Sequence, residues 1–151
     1  MPERINLHAT VVVANGTGLL IKGRSGSGKT SLALTLIDLC RARGSHACFV
    51  ADDQVWLSVV NGRVVAHAPA EISGLVEMRG YGPALIAHEP RAVIDATITL
   101  VDPQDAPRVH LQESELQQGI ILPKLTLAAA NSAGSARAVL AWIAEIDRQN
   151  T

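Results

Sequence analysis

The chain is 151 residues long, 48% hydrophobic and 18% charged, which suits one globular domain spanning residues 1–151. Its net charge of −1 excludes the basic footprint that bulk nucleic-acid binding needs, and two cysteines are too few for a disulfide framework. No apolar run reaches membrane-spanning length and no signal-peptide pattern follows Met1-Pro2-Glu3-Arg4, so a cytoplasmic protein without a membrane segment is expected.

Ile5 to Ala14 is β-branched and apolar, and predicts one strand. Asn15-Gly16 then signals a tight hairpin, because both central residues of a type I′ turn need positive φ. Leu19-Leu20-Ile21 predicts the returning strand, which delivers the chain into Gly23-Arg24-Ser25-Gly26-Ser27-Gly28-Lys29-Thr30. From Ser31 to Arg43 the spacing of Leu32, Leu36, Leu39 and Cys40 predicts a helix, stopped at Gly44. His46 to Ala51 predicts a buried strand ending at Asp52-Asp53. Val55 to Val60 and Arg63 to His67 predict a second hairpin around Asn61-Gly62. Ala92 to Val101 predicts a further strand, and Pro103 to Gln118, polar and without a sustained period, a loop. Val139, Trp142, Ile143 and Ile146 predict a last amphipathic helix capped from Ser132 or Ser135. Cys40 and Cys48 lie in apolar segments and are expected as buried free thiols. The expected fold is α/β, with more hairpins than a regular βαβ alternation.

The glycine segment carries the strongest chemical signal. Gly23, Gly26 and Gly28 let the backbone turn so that Arg24, Ser25, Ser27 and their neighbours aim N–H groups at phosphate oxygens. The following helix adds its positive N-terminal end. In such a P-loop (the Walker A pattern), Lys29 supplies a charge to the β- and γ-phosphates and the Thr30 hydroxyl reaches Mg²⁺. Asp52 and Asp53 end an apolar strand, where P-loop proteins place an acid opposite the phosphates. Adjacent carboxylates on a strand point to different sides, so one can face a metal and the other an acceptor hydroxyl. Glu77 and Arg79, two residues apart, share a face if extended. They read either as a metal-ligating acid beside a charge-stabilising cation or as a surface ion pair. His8, taken alone on an apolar strand, reads as structural, and Arg108 is an isolated loop cation.

The order of these motifs resembles the catalytic domain of the HPr kinase/phosphorylase family. It runs from His8 through Gly23–Thr30, Val50-Ala51-Asp52-Asp53-Gln54-Val55 and Leu75-Val76-Glu77-Met78-Arg79-Gly80-Tyr81-Gly82 to Leu122-Pro123-Lys124-Leu125. The resemblance implies an ATP- and Mg²⁺-dependent protein-serine kinase acting on the phosphocarrier HPr or a relative, with pyrophosphate as another phosphoryl donor. It implies Thr30 and Glu77 as Mg²⁺ ligands, Lys29 on phosphate, Asp53 as base supported by Asp52, His8 as the active-site histidine, and catalytic roles for Arg79 and Arg108. Run backwards, the same carboxylate would serve phosphorolysis. The family's hexameric assembly would suit the apolar surplus.

The chain departs from larger family members in leaving no room for an N-terminal domain and in having Thr30 where they have serine. Leu125-Thr126-Leu127-Ala128-Ala129-Ala130-Asn131 carries no arginine where their dephosphorylation loop does, and resembles the short single-domain form of some proteobacteria. Two other readings fit a P-loop chain: a small-molecule kinase, and a nucleotide-sensing module that transfers nothing.

Overall fold

The computed structural model, which describes residues 3–150, opens with strand β1 (Ile5–Leu7) and, after a break at His8-Ala9, continues as β2 (Thr10–Ala14). Asn15 and Gly16, at φ 50° and 76°, turn it back into β3 (Thr17–Lys22). The glycine loop leads into α1 (Lys29–Ala42). This helix stops at Gly44, φ 72°, where the Gly44 and Ser45 N–H groups donate back to the Arg41 and Cys40 carbonyls. Next come β4 (Ala47–Ala51), then β5 (Val55–Val60) and β6 (Arg63–His67), joined at Asn61-Gly62 with φ 52° and 75°. A small ribbon follows, β7 (Leu75–Met78) with β8 (Gly82–Leu85), and then β9 (Arg91–Ile94), β10 (Ala96–Val101), β11 (Glu113–Gln117), β12 (Ile120–Ala128) and α2 (Ser132–Gln149).

A mixed six-stranded sheet in the order β11-β12-β10-β3-β2-β4 forms the middle layer, and an antiparallel sheet β1-β5-β6-β9 covers one of its faces. The alternation of side chains along each strand feeds two cores. Val12, Ala14, Leu19, Ile21, Phe49 and Ile98 pack with Leu32, Leu36, Cys40, Val139 and Ile143 of the helices. Val11, Leu20 and Val50 pack with Val55, Leu57, Val64, Ala66 and Ile94 of the second sheet. Because the middle strands are apolar on both faces, they read as near-continuous Val/Ile/Leu runs. With aromatics at 3% of the chain, this core is almost wholly aliphatic, as composition predicts. Cys40 and Cys48 are buried and free, and burial raises both thiol pKa values.

Four expectations are corrected. The strand expected over Ile5–Ala14 is two strands in different sheets, with exposed His8 at the crossing point. The strand expected over Ala92–Val101 likewise divides at Asp95, β9 joining one sheet and β10 the other. In both places the chain changes sheets within one or two residues, which a hydrophobic pattern does not record. The stretch Pro103 to Gln118, expected as loop, contains β11, an edge strand paired only with β12. The helix α2 is preceded by Asn131 as N-cap, with no side-chain cap; Ser132 is its first residue and Ser135 lies buried within it.

Candidate functional site

Strands β3, β10 and β12 run parallel, and β4 runs with β3 because each is antiparallel to β2. Their carboxyl ends therefore share one edge, which is where open α/β sheets bind ligands. The P-loop leaves β3 there, Asp52-Asp53 leave β4, and Ala129–Asn131 leave β12. The start of β2 brings His8 and Thr10 to the same edge, since Thr10 lies opposite Ile21 and Val11 opposite Ala51.

Gly26 and Gly28 adopt φ 80° and 97°, which glycine alone reaches without cost, and Ser27 N–H closes the loop on the Arg24 carbonyl at 3.1 Å. The Ser27 hydroxyl is buried under the loop, 2.5 Å from where a Cβ on Gly23 would stand, so a side chain at position 23 would have to displace it. The Ala130 N–H donates to the Ser27 carbonyl at 2.9 Å and ties the end of β12 to the loop. No side chain caps α1, so its first-turn N–H groups lack intrahelical partners. Arg24 turns outward into an ion pair with Asp102.

Lys29, with its side chain only 3% exposed, donates to the Gly23 and Arg24 carbonyls at 2.9 and 3.2 Å. Its Nζ lies 3.5 Å from Asp53 Oδ1 and 3.4 Å from His8 Nε2, and the His8 and Asp53 atoms are 3.8 Å apart. A lysine is almost never this buried without partners, and here they are carbonyls and a carboxylate. Asp52 points the other way: Thr30 Oγ1 donates to its Oδ1 at 2.5 Å, Thr10 Oγ1 at 3.4 Å, and the Glu77 N–H also bonds its carboxylate. The two carboxylates diverge, one toward the helix hydroxyl and one toward the lysine, but both lie past the end of β4, in a bend and not on the strand whose alternation was expected to separate them.

Burial raises the Asp52 pKa, and the neighbouring Asp53 charge raises it further. The hydrogen bonds from Thr30, Thr10 and the Glu77 N–H oppose the shift without cancelling it. A carboxyl whose folded pKa is raised contributes stability below its unfolded pKa and loses that contribution as pH rises through the folded value. The variant Asp52→Asn, neutral at all pH, should therefore melt at higher temperature than wild type near neutrality in the absence of ligands. The gain should shrink on acidification, as thermal unfolding across pH will show.

Among the sequence-predicted residues, the structure brings together Gly23–Thr30, Asp52, Asp53 and His8. Glu77 joins through its backbone, its side chain being exposed on the ribbon. Arg79, in the turn between β7 and β8, and Arg108, on the β10–β11 connection, are exposed and make no ion pair or side-chain hydrogen bond among the described residues. Sequence reasoning missed Thr10, Asp102 and Ala130. Of these only Thr10 carried a signal, as a hydroxyl in an otherwise apolar run.

The family model described as the HPr serine kinase C-terminal domain matches residues 1–89. An HPr kinase/phosphorylase of Clostridium tetani is 41% identical over 76 residues, which cover 50% of this chain and 23% of that protein. One of Clostridium perfringens is 37% identical over 82 residues, 54% of this chain and 25% of the relative. The matched stretch is thus about a quarter of these relatives' length. The solved HPr(Ser) kinase/phosphatase from Coxiella burnetii superposes with a TM-score of 0.80 at 25% identity, covering 95% of this chain and 99% of that one.

Proposed function

We propose that this chain, which belongs to the HPr serine kinase C-terminal domain family, acts as a single P-loop domain that transfers phosphate from ATP to a serine of HPr or a related phosphocarrier, with Mg²⁺. The observation that carries the reading is Asp53 Oδ1 standing 3.5 Å from Lys29 Nζ. A proton acceptor and a phosphate-binding cation then meet at one point, as transfer to a hydroxyl requires.

The glycine backbone, the buried Lys29 ammonium and the uncapped start of α1 fit a polyphosphate. The Thr30 hydroxyl against the Asp52 carboxylate, with Glu77 next to them, fits a hard cation that takes oxygen ligands. When bound, Mg²⁺ and ATP supply the phosphoryl group and the charge that offsets its oxygens. The chain's own residues do the rest. Lys29 and the loop N–H groups fix the phosphates, and Thr30, Asp52 and Glu77 hold the cation. Asp53 accepts the proton of the acceptor serine Oγ. His8, 3.8 Å from the Asp53 carboxylate, keeps it turned toward the acceptor. Arg79 and Arg108, both exposed, are cations available to the transferring group.

The nucleotide dependence, the acceptor and the residue roles are tested together by mixing the protein with Mg²⁺, labelled ATP and HPr from the same organism. Label should arrive on one HPr serine. Lys29→Ala should weaken ATP binding by roughly 10- to 100-fold, the value of one or two charge-assisted hydrogen bonds. Binding of ATP by wild type with no labelled HPr would sink the HPr kinase reading and leave a nucleotide-sensing module in its place. The protein is expected to work in the cytoplasm as a homo-oligomer. Exposed Leu111, Leu116 and Ile121, on and beside the open edge of the six-stranded sheet, support burial between copies. Among the described residues no helix is long and apolar enough to cross a membrane.

A further inference from the structure

Asp53 sits at the apex of an unusual turn. The Gln54 N–H donates to the Asp52 carbonyl at 2.7 Å, two residues back, and Asp53 between them takes φ 61°. A three-residue turn with a positive φ at its centre is rare and strained, and strain of this kind persists only where surrounding groups hold it. The turn is what separates the two carboxylates, sending Asp52 to Thr30 and Asp53 to Lys29 and His8.

One side chain touches both halves of the turn. Thr10, fully buried at the start of β2, accepts the Asp53 N–H at 3.3 Å through Oγ1 and donates from the same oxygen to Asp52 Oδ1 at 3.4 Å. Asp52 Oδ1 in turn accepts the Thr30 hydroxyl at 2.5 Å. A continuous chain of hydrogen bonds therefore runs from the Asp53 backbone through Thr10 and Asp52 to the first turn of α1. Thr10 otherwise lies in an apolar stretch between Ala9 and Val11, where a hydroxyl has no packing advantage over a methyl group. Burying a hydroxyl is unfavourable unless it is hydrogen-bonded, and this one bonds both halves of the acidic turn.

We infer that Thr10 is a positioning residue: it holds the Asp52-Asp53 turn in its left-handed form and so aims Asp53 at the acceptor hydroxyl. Being fully buried, it acts through the turn and not on phosphate or acceptor directly. Its catalytic part rests on the kinase reading above, but its hold on the turn does not.

The variant Thr10→Val keeps shape and burial and removes both bonds; Thr10→Ala serves if the valine protein folds poorly, and Thr10→Ser restores the hydroxyl. Backbone amide exchange in the ligand-free protein reads the turn directly. Exchange at Asp53 should accelerate about tenfold or more in Thr10→Val, while Val12 and Leu19 in the neighbouring strands keep their protection. In the assay with Mg²⁺, ATP and HPr, kcat should fall roughly 10- to 100-fold, as for loss of a supporting hydrogen bond, with the KM for ATP within about threefold of wild type. Thr10→Ser should recover most of both. Unchanged Asp53 exchange in Thr10→Val overturns the proposal, and so does altered exchange with unchanged kcat. If wild type phosphorylates nothing, the kinase reading fails, and the Asp53 amide still decides whether Thr10 holds the turn.

Discussion

Replacing Asp53 by asparagine should lower kcat for serine phosphorylation by roughly 10²- to 10⁴-fold, the range expected for losing a general base. ATP affinity should stay at the wild-type level or rise. In the ligand-free protein the Asp53 carboxylate lies 3.5 Å from Lys29, so it competes with phosphate oxygens for that ammonium. Asparagine keeps the shape and removes both the competing charge and the proton acceptor. It also suits the backbone, because asparagine tolerates the φ of 61° found here. Nucleotide titration and steady-state kinetics on one preparation separate the two effects. A sensor that only binds nucleotide would lose neither binding nor signalling. A small-molecule kinase would lose turnover on its own substrate while wild type left HPr unlabelled. Full activity in Asp53→Asn would remove Asp53 from the base role whatever the acceptor.

How much of this site was legible beforehand depended on how local each signal is. The glycine spacing of 23, 26 and 28 prescribes positive φ within eight residues, and two of the three glycines show it. Asn15-Gly16 and Asn61-Gly62 prescribe their hairpins in the same way. The convergence of His8 with Lys29 and Asp53 depends on strand order, which no local pattern encodes; the resemblance to a family supplied it. Thr10 was illegible for a related reason. One hydroxyl in an apolar run means little until β2 is known to lie between β3 and β4, beside the acidic turn. Edge strand β11 was missed because Glu113-Ser114-Glu115 reads as polar loop. The Glu115 carboxylate in fact ion-pairs with Lys22 of β3 at 2.6 Å, which rewards a polar residue on that strand. Burial alone would raise the Glu115 pKa, but the hydrogen bond and charge of Lys22, with the Lys124 charge, outweigh it and leave the pKa lowered.

The crossing of chain between sheets makes a second large effect predictable. Where β9 passes into β10, Asp95 clasps Gly18: the Gly18 N–H donates to Asp95 Oδ2 at 2.9 Å, and the Asp95 N–H donates to the Gly18 carbonyl at 2.8 Å. Arg63 holds the other carboxylate oxygen at 2.8 Å. The clasp draws the two backbones so close that a Cβ on Gly18 would stand 1.8 Å from the Val93 carbonyl oxygen and 2.9 Å from its carbon. Neither atom can swing aside like the end of a side chain, so relief requires β3 and β9 to part and the buried packing around Ile94 and Leu20 to open. Gly18→Ala should therefore cost more than about 4 kcal/mol, the exceptional end of single substitutions. Gly16→Ala is the matched control: its Cβ meets nothing within 4 Å, and only the φ of 76° opposes it, at about 1 kcal/mol. Urea unfolding of the pair measures the difference. Equal midpoints would mean that β3 and β9 have slack at this crossing. A large gap would show that β3, the strand leading into the glycine loop, is clamped from the second sheet at this crossing.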